Sequence, residues 1–437
     1  MELNELNFDY VEKYIKTGSL RNFSRLISGS YFRSTSEKDY NKLEPWIQWP
    51  TFYTGLSYKE HNVFRLGDIE GKGFSQIWEE VEALSDNNSV LAISPMNADN
   101  RVISPRSVFL PDPWSNIQVK TNNKKISKVY EWARHAVQNN AADGMSHKRL
   151  LLIAPSLISM FDLKSTVKLL PQLFRIFLKG EKFRKALVLD LILYQLFKKQ
   201  SQAERYVYKS LFLNAAAHLQ HHYAFNSSAY EGSSKNPSWY TEKSLAGSDP
   251  LLEIYKLYDW MLGELFESDE VFFVTTGLSQ RPNPTPFHQY KLSNASLLLA
   301  IIGVKDNCVN IRFRMSRDFE IVATRGSETL NEVSKKLSAF KVNEKDLFLI
   351  DRRNESLFVQ VCYRDAPKHL TAGLYGNQGI DVTPLLTHVS IENQIHIGEG
   401  YVADPYKIMS NERNRRIPLK NLKAKIVNYM TQSVTNV

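Results

Sequence analysis

Residues 74–94 read FSQIWEEVEALSDNNSVLAIS, and the fold is predicted from the pattern of this stretch. Phe74 to Leu84 places apolar residues at helical spacing among glutamates, whereas Ser89 to Ser94 is an apolar run of strand length. Amphipathic stretches and short apolar runs alternate in this way throughout the first two thirds of the chain. This alternation is typical of a mostly parallel sheet with helices on both faces, so we predict an α/β three-layer sandwich.

Further elements are predicted from the same pattern. The other predicted strands are Met1 to Leu6, Leu150 to Ala154 and Glu270 to Thr276. The other predicted helices are Phe8 to Thr17, Ser127 to Asn139 and Leu251 to Leu265.

Two regions depart from the simple alternation. Residues 163–220 carry apolar side chains at three- and four-residue spacing with few helix breakers, which predicts a helical insertion that covers the sheet. Residues 292–365 contain runs such as DFEIVAT and ESLFVQVCY, in which apolar and polar residues alternate, which predicts a mainly antiparallel strand region. We expect both regions to lie within a single domain that spans residues 1–437.

The composition excludes several classes of protein. The chain is 43% hydrophobic and 23% charged, as expected for a globular protein with a large core. Two cysteines cannot build a disulfide framework or a cysteine-based zinc site. No run approaches the roughly 18 apolar residues of a membrane helix, and no signal peptide is recognisable, so a cytoplasmic protein is expected.

The formal charge of +9 favours an anionic partner. The basic residues are scattered and form no nucleic-acid-binding motif, so a small anionic or glycan-linked substrate is expected rather than nucleic acid. The sequence leaves the oligomeric state open.

Three histidines in the segment NAAAHLQHHYAFN are candidates for metal binding. On a helix His218 and His222 lie on one face, at the spacing at which two imidazoles can share a metal ion, whereas His221 is predicted to point elsewhere. His396, near Gly398 and Gly400, is a candidate third ligand. The alternatives are a structural or surface pair at 218 and 222 and an ordinary turn histidine at 396.

Several short phrases resemble the alkaline phosphatase superfamily, particularly its nucleotide pyrophosphatase/phosphodiesterase branch. Arg21 to Leu26 and Thr54 to Asn62 match its P-N-F-x-x-L and T-G-x-x-P-x-x-H-G phrases in the expected order. Ser94 to Ala98 and Leu110 to Trp114 resemble phrases of a bacterial subgroup associated with surface-polysaccharide genes. Together the matches extend from the first strand to Gly400.

The resemblance implies two metal ions, usually zinc, of which the sequence retains one site. Aligning the superfamily's D-x-x-x-H and G-x-H-G phrases predicts a three-histidine site of His218, His222 and His396, with one zinc ion as the cofactor. The other ion would require ligands at Asn4 and within Thr276 to Ser279, and a nucleophile within Leu43 to Trp49. These positions offer neither the expected ligands nor a serine or threonine nucleophile.

Without that nucleophile, the resemblance favours direct attack by a metal-activated water. Glu5 and Glu44 are candidate general bases, with buried ion-pair partners as the alternative. Arg101, Arg281 and His288 are candidate substrate-binding residues, and their alternative is ordinary surface charge.

Two functions are compatible with this pattern. The first is a metal-dependent hydrolase or transferase that acts on a phosphate or sulfate ester, for example a nucleotide-sugar or a surface-glycan precursor. The second is a non-catalytic alkaline-phosphatase-fold protein that binds or assembles partners in polysaccharide biosynthesis.

Overall fold

The computed structural model describes residues 1–29, 31–138, 155–157, 159–313, 317–324, 328–353, 355–409 and 415–435. Its strands are β1 Glu2–Leu3, β2 Tyr31–Thr35, β3 Val90–Ile93, β4 Val108–Leu110, β5 Tyr208–Leu213, β6 Val274–Thr275, β7 Ser279–Pro282, β8 His288–Leu292, β9 Val309–Phe313, β10 Asp318–Ala323, β11 Phe340–Val342, β12 Lys345–Asp346, β13 Phe348–Arg352, β14 Ser356–Val361, β15 Gly373–Tyr375, β16 Gln378–Ile380, β17 Leu386–Ile391, β18 Gln394–Ile397, β19 Glu399–Ala403 and β20 Arg416–Pro418.

The principal helices are α1 Phe8–Lys16, α2 Arg21–Ser28, α3 Pro45–Thr54, α4 Tyr58–His61, α5 Ile77–Glu82, α6 Lys124–Gln138, α7 Leu163–Lys179, α8 Arg184–Ala203, α9 Ala215–Tyr223, α10 Ser238–Leu245, α11 Pro250–Phe266, α12 Ala295–Ile301, α13 Glu328–Leu337 and α14 Asn421–Thr435. Short 3₁₀ turns lie at Tyr40–Lys42, Ala224–Asn226, Pro367–Ala372 and Thr383–Leu385. None of these helices is both long and apolar enough to cross a membrane.

The chain forms two compact units, which are described separately. The first draws on Met1–Val137, Met145–Pro282 and Gln394–Val437, and the second consists chiefly of Asn283–Asn393. The prediction of a single domain over residues 1–437 treated the antiparallel region as part of one body. The structure gives that region a hydrophobic core of its own.

The first unit is built on an eight-stranded sheet in the order β20-β2-β19-β6-β1-β5-β3-β4. Every pairing in it is parallel except the two made by β19, which is antiparallel to β2 and β6. Both faces of the sheet are covered, because Leu91 and Ile93 of β3 belong to one buried core and Val90 and Ala92 belong to another. This confirms the predicted mostly parallel α/β sandwich.

The second unit is mainly antiparallel. Strands β9, β10, β14 and β13 form one sheet, and they coincide with four of the runs in which apolar and polar residues alternate. Strands β12, β11, β15 and β16 form a second sheet, and β8 pairs with β17. The predicted antiparallel region is therefore confirmed, and it continues to Ile391.

One predicted element is wrong in part. Residues 163–220 contain helices α7 and α8, but Tyr208–Leu213 forms β5, a central strand between β1 and β3. A strand that is buried on both faces reads as a short apolar run, which periodicity alone does not distinguish from a segment of buried helix. The strand predicted at Leu150 to Ala154 lies outside the described residues.

Candidate metal centre

Three side chains distant in sequence meet beyond the C-terminal end of β1. The backbone N–H of Asn4 donates to Leu213 O at the end of β5, and that of Glu5 donates to Thr276 O after β6. These two hydrogen bonds hold Glu5 between the ends of β5 and β6, the two strands that flank β1. Helix α9 follows β5 directly and carries His221, and His396 lies on β18. The site therefore occupies the edge where open α/β sheets commonly bind ligands.

The atoms of the three side chains that could bind a metal ion form a nearly regular triangle. Glu5 Oε2 lies 3.1 Å from His221 Nε2 and 3.0 Å from His396 Nε2, and the two Nε2 atoms are 3.1 Å apart. Ligand atoms about 2.0–2.1 Å from a tetrahedral zinc ion lie roughly 3.3 Å from one another. The triangle is therefore close to the size of one face of a zinc coordination shell.

Neighbouring groups fix the orientation of both imidazoles. His221 Nδ1 lies 3.0 Å from the backbone oxygen of Gln394, so Nδ1 carries a proton, and Nε2 is the ring atom that a metal ion would take. His396 Nδ1 lies 3.6 Å from Glu44 Oε2. A hydrogen-bond acceptor behind the ring, as the Gln394 carbonyl provides for His221, is the usual arrangement around metal-binding histidines, and Glu44 lies at ion-pair distance from His396.

Two amides hold the Glu5 carboxylate. Asn4 Nδ2 donates to Oε1 at 2.9 Å, and Gln280 Nε2 donates to Oε2. Gln280 lies opposite His396 in the antiparallel pair of β7 and β18, so the two side chains share one face. The carboxylate is consequently fixed on both oxygens.

Electrostatics favour the charged forms of Glu5 and His396. Burial by itself would raise the pKa of Glu5, but the charge of His396 and hydrogen bonds from both histidines hold that pKa well below its usual value. Burial would likewise lower the pKa of His396, but Glu5, with a smaller contribution from Glu44, raises it. The protein thus keeps an anionic oxygen ligand at the centre.

The ligand set predicted from the sequence requires a correction. Within the described residues, Glu5, His221 and His396 are the only three His, Cys, Asp or Glu side chains whose ligand atoms all lie within 4.8 Å of one another. His218 is solvent-exposed, and its ring lies 4.1 Å from that of His222. His222 Nδ1 lies 3.3 Å from the hydroxyl of Tyr240. His218 and His222 therefore form a pair of their own, and His221, not either of them, lies beside His396.

Packing explains why His221 was missed. Gln220 Nε2 donates to the backbone oxygen of Glu5 at 2.8 Å, so the face of α9 that carries Gln220 and His221 is the face turned towards β1. At 100° per residue the three histidines span one arc of about 100°, and His221 lies at the end of that arc nearest to Gln220. The only signal for His221 in the sequence was its closeness to the other two histidines.

The positions assigned to a second metal ion also meet in the structure, but they are occupied by uncharged groups. Trp49 Nε1 donates to Asn4 Oδ1 at 2.7 Å, and Asn4 Nδ2 donates to Asn214 Oδ1 at 2.8 Å. Gly277 has a φ of +69°, and a Cβ atom there would lie 3.1 Å from the Trp49 ring. The indole and two amides therefore occupy the place where the resemblance implied ligands.

The remaining predicted residues are placed as follows. Glu44 occupies the N-cap position of α3 and faces His396, as described above. Arg101 forms an ion pair with Glu79, in which Nε lies 2.8 Å from Oε1. Arg281 is exposed and neighbours Gln280 along β7, so it faces the side of the strand opposite to His396. His288 lies in the second unit, where its Nδ1 is 3.0 Å from His388 Nε2. Arg101 therefore forms an ion pair and Arg281 has an exposed side chain, and a role of either in substrate binding stays a prediction.

Comparison with known proteins yields structural similarity alone. No protein-family model and no curated protein matches the sequence. Phosphonoacetate hydrolase from Sinorhizobium meliloti is 12% identical over 98% of this chain and 94% of its own, with a TM-score of 0.41. Murine ectonucleotide pyrophosphatase/phosphodiesterase 5 is 10% identical over 98% and 93%, with a TM-score of 0.38.

A third similar structure is the alkaline phosphatase PafA, 9% identical over 98% of this chain and 94% of its own, with a TM-score of 0.41. All three proteins are members of the alkaline phosphatase superfamily, whose phrases the sequence resembles. At these identities and scores we infer the function only from the side chains of this chain.

Proposed function

We propose that this protein is a metal-dependent hydrolase of phosphate esters, with one metal ion held by Glu5, His221 and His396. The triangle formed by their three ligand atoms is the observation that carries the proposal. Two imidazoles and one carboxylate form the ligand set of several catalytic zinc sites, which leave a fourth position for water or substrate. We therefore propose zinc as the ion.

A zinc ion bound there would polarise a phosphoryl oxygen and lower the pKa of a bound water to about 7. The chain itself orients the ligands. Glu5 is held by Asn4 and Gln280, and Glu44 holds the ring of His396 from behind. We accordingly assign Glu5 a ligand role and Glu44 a positioning role in place of the general-base roles predicted from the sequence.

The Asn4, Trp49 and Gly277 arrangement supports a mechanism with one metal ion. Its indole and amides provide no anionic ligand for a second cation, and residues 43–49 contain no serine or threonine nucleophile. Direct attack by water on phosphorus avoids the covalent intermediate that such a nucleophile would form. A sulfate ester, a nucleotide-sugar or surface-glycan substrate and a cytoplasmic location stay predictions from the sequence.

Metal analysis and turnover of the purified protein test the proposal together. We expect about one zinc ion per chain and hydrolysis of a chromogenic phosphate ester that a chelator abolishes and added zinc restores. His221→Ala and His396→Ala should lose the metal and lower turnover by roughly a hundredfold or more. His218→Ala is the matched control, because it alters an exposed imidazole on the same helix. Loss of metal from the His218 variant with retention in the His221 variant would refute the ligand set.

The binding-protein function remains the second candidate, and one observation favours it. Glu5 and His396 already satisfy each other as an ion pair, so the cluster can serve as a buried structural contact without a metal ion. In that case chelator treatment leaves the melting temperature unchanged, while Glu5→Gln lowers it. No phosphate ester would then be hydrolysed at any zinc concentration.

A further inference from the structure

Helix α7 exposes an unusual amount of apolar surface. Six large side chains on it are between 50% and 81% exposed: Leu163, Val167, Leu170, Phe174, Phe177 and Leu178. At 3.6 residues per turn these six lie within an arc of about 100°. They therefore form one continuous apolar stripe along the helix, and a contiguous exposed patch of this kind marks an interaction site.

The stripe is not the side of α7 that packs against the first core. Leu169, Leu173 and Ile176 lie on a different side of the helix and pack against the first core. Helix α7 is thus apolar on two sides, whereas a surface helix of a globular protein normally presents polar residues to water. The packing of Leu169, Leu173 and Ile176 against the first core accounts for one of these apolar sides.

Basic residues border the stripe along one side. Lys164, Lys168, Arg175 and Lys179 fall within the adjoining arc of about 60°, and α7 contains no aspartate or glutamate. Lys164 faces Glu267 at 3.5 Å, and Arg175 pairs with Glu181. Lys168 and Lys179 form no ion pair with any residue that the structure describes. The helix is therefore cationic where it meets the apolar stripe.

We propose that α7 docks the protein on an anionic membrane surface. The apolar stripe lies in the boundary between headgroups and acyl chains, and the lysines beside it contact lipid phosphates. An apolar arc with basic residues along its border fits this occupant, because a lipid surface offers apolar chains and negative charge side by side. Such docking would not require any helix among the described residues to cross the bilayer.

Vesicle flotation of the full-length protein tests the proposal. We expect binding to vesicles of phosphatidylglycerol and phosphatidylcholine in equal parts, weaker binding to phosphatidylcholine alone, and a decline with ionic strength. Leu170→Ser combined with Phe174→Ser should weaken binding by roughly tenfold or more. Lys168→Gln combined with Lys179→Gln should weaken binding to the anionic vesicles only.

Ile103→Ser is the matched control, because Ile103 is 85% exposed and lies outside α7. It should bind as the wild type does, and thermal midpoints should show that every variant is folded. Absence of binding to anionic vesicles, or equal binding by the Leu170 and Phe174 variant, overturns the proposal. The proposal is also overturned if light scattering shows that the wild type is a dimer and that the Leu170 and Phe174 variant is a monomer. A second copy of the chain would then cover the stripe.

Discussion

Asn4 shows how one side chain can exclude a second metal ion. Its amide donates to Glu5 and Asn214 and accepts from Trp49, so it needs both a donor and an acceptor end. Asn4→Asp introduces the carboxylate that the superfamily resemblance implies, but it replaces the Nδ2 donor by an acceptor oxygen that faces the oxygens of Glu5 and Asn214. We expect a loss of about 2–4 kcal/mol in unfolding free energy and no second zinc ion.

Chemical denaturation and metal analysis of the Asn4→Asp variant measure both effects. Asn87→Asp makes the same change at an exposed position and should shift stability by less than about 0.5 kcal/mol. A variant that binds two zinc ions at unchanged stability would show that the Trp49 indole does not close the second site.

His61 is a buried histidine whose neighbours require its neutral form. The backbone N–H of Val63 donates to Nδ1 at 2.9 Å, so the proton lies on Nε2, 3.0 Å from Thr51 Oγ1. Burial, with a smaller contribution from the charge of Lys72, lowers the pKa of His61 to about 4. His61 is therefore held as a neutral, hydrogen-bonded side chain within the fold.

The lowered pKa of His61 predicts a loss of stability in acid. The unfolded chain binds the proton near pH 6.5 and the folded chain only near pH 4, so the contribution is complete above pH 6.5 and declines as the pH falls to 4. We expect the wild type to lose at most about 3 kcal/mol more than His61→Gln between pH 7 and 4.5. Urea titrations of both proteins at each pH measure this difference. Groups whose pKa is shifted in the opposite direction, such as Asp190, contribute equally in both proteins, so their effect cancels in the comparison. Parallel pH profiles would contradict the prediction.

At the scale of elements, α9 depends on a side chain from another helix. Asp190 on α8 accepts the backbone N–H of Ala215 at 2.9 Å and the hydroxyl of Tyr258, and so caps the first turn of α9. Burial raises the pKa of Asp190 to about 6, although these hydrogen bonds oppose the rise. The helix that carries His221 is therefore positioned from its N-terminus.

Removal of this cap should loosen the metal centre as well as the helix. Asp190→Ala leaves buried donors of α9 and Tyr258 unpaired, so we expect a loss of about 2–4 kcal/mol and a weaker affinity for zinc. Asp190→Asn retains one acceptor oxygen, so its unfolding free energy and its affinity for zinc should lie between those of the alanine variant and the wild type. Zinc titration and thermal unfolding give the two quantities, and an unchanged affinity in the alanine variant would separate α9 from the metal centre.

What the sequence could predict at this scale depends on how each element is buried. The strands of the second unit were predictable because one face of each is exposed, which leaves an alternating pattern. Strand β5 was not, because both of its faces are buried. The three histidines of α9 fall within one arc of about 100°, so the pattern did not show which of them faces the sheet. The sequence proposed Glu5 as a general base and His396 as a ligand, and only the tertiary packing shows that His221, and not His218, lies beside them.

At the scale of the whole molecule, the two units have separate hydrophobic cores. Phe340 is fully buried in the second unit, where its ring lies 5.6 Å from Phe348 and 4.7 Å from Tyr375. Phe340→Ala should cost about 3–5 kcal/mol through the cavity that it leaves. Because the three proposed ligands belong to the first unit, zinc content should stay at the wild-type level.

Limited proteolysis locates the damage in the Phe340→Ala variant. We expect the first cuts between residues 283 and 393, whereas Leu262→Ala, a change in the first core, should expose sites elsewhere and reduce zinc content. Loss of zinc from the Phe340 variant would show that the metal centre depends on the second core.

The wide separation of Glu5, His221 and His396 along the chain bears on biosynthesis. The first pair is 216 residues apart and the second 175. A growing polypeptide on the ribosome therefore lacks one donor until translation has passed codon 396. The proposed zinc ion would therefore find all three ligands only after residue 396 has been translated, and a product truncated before that codon would lack one of them.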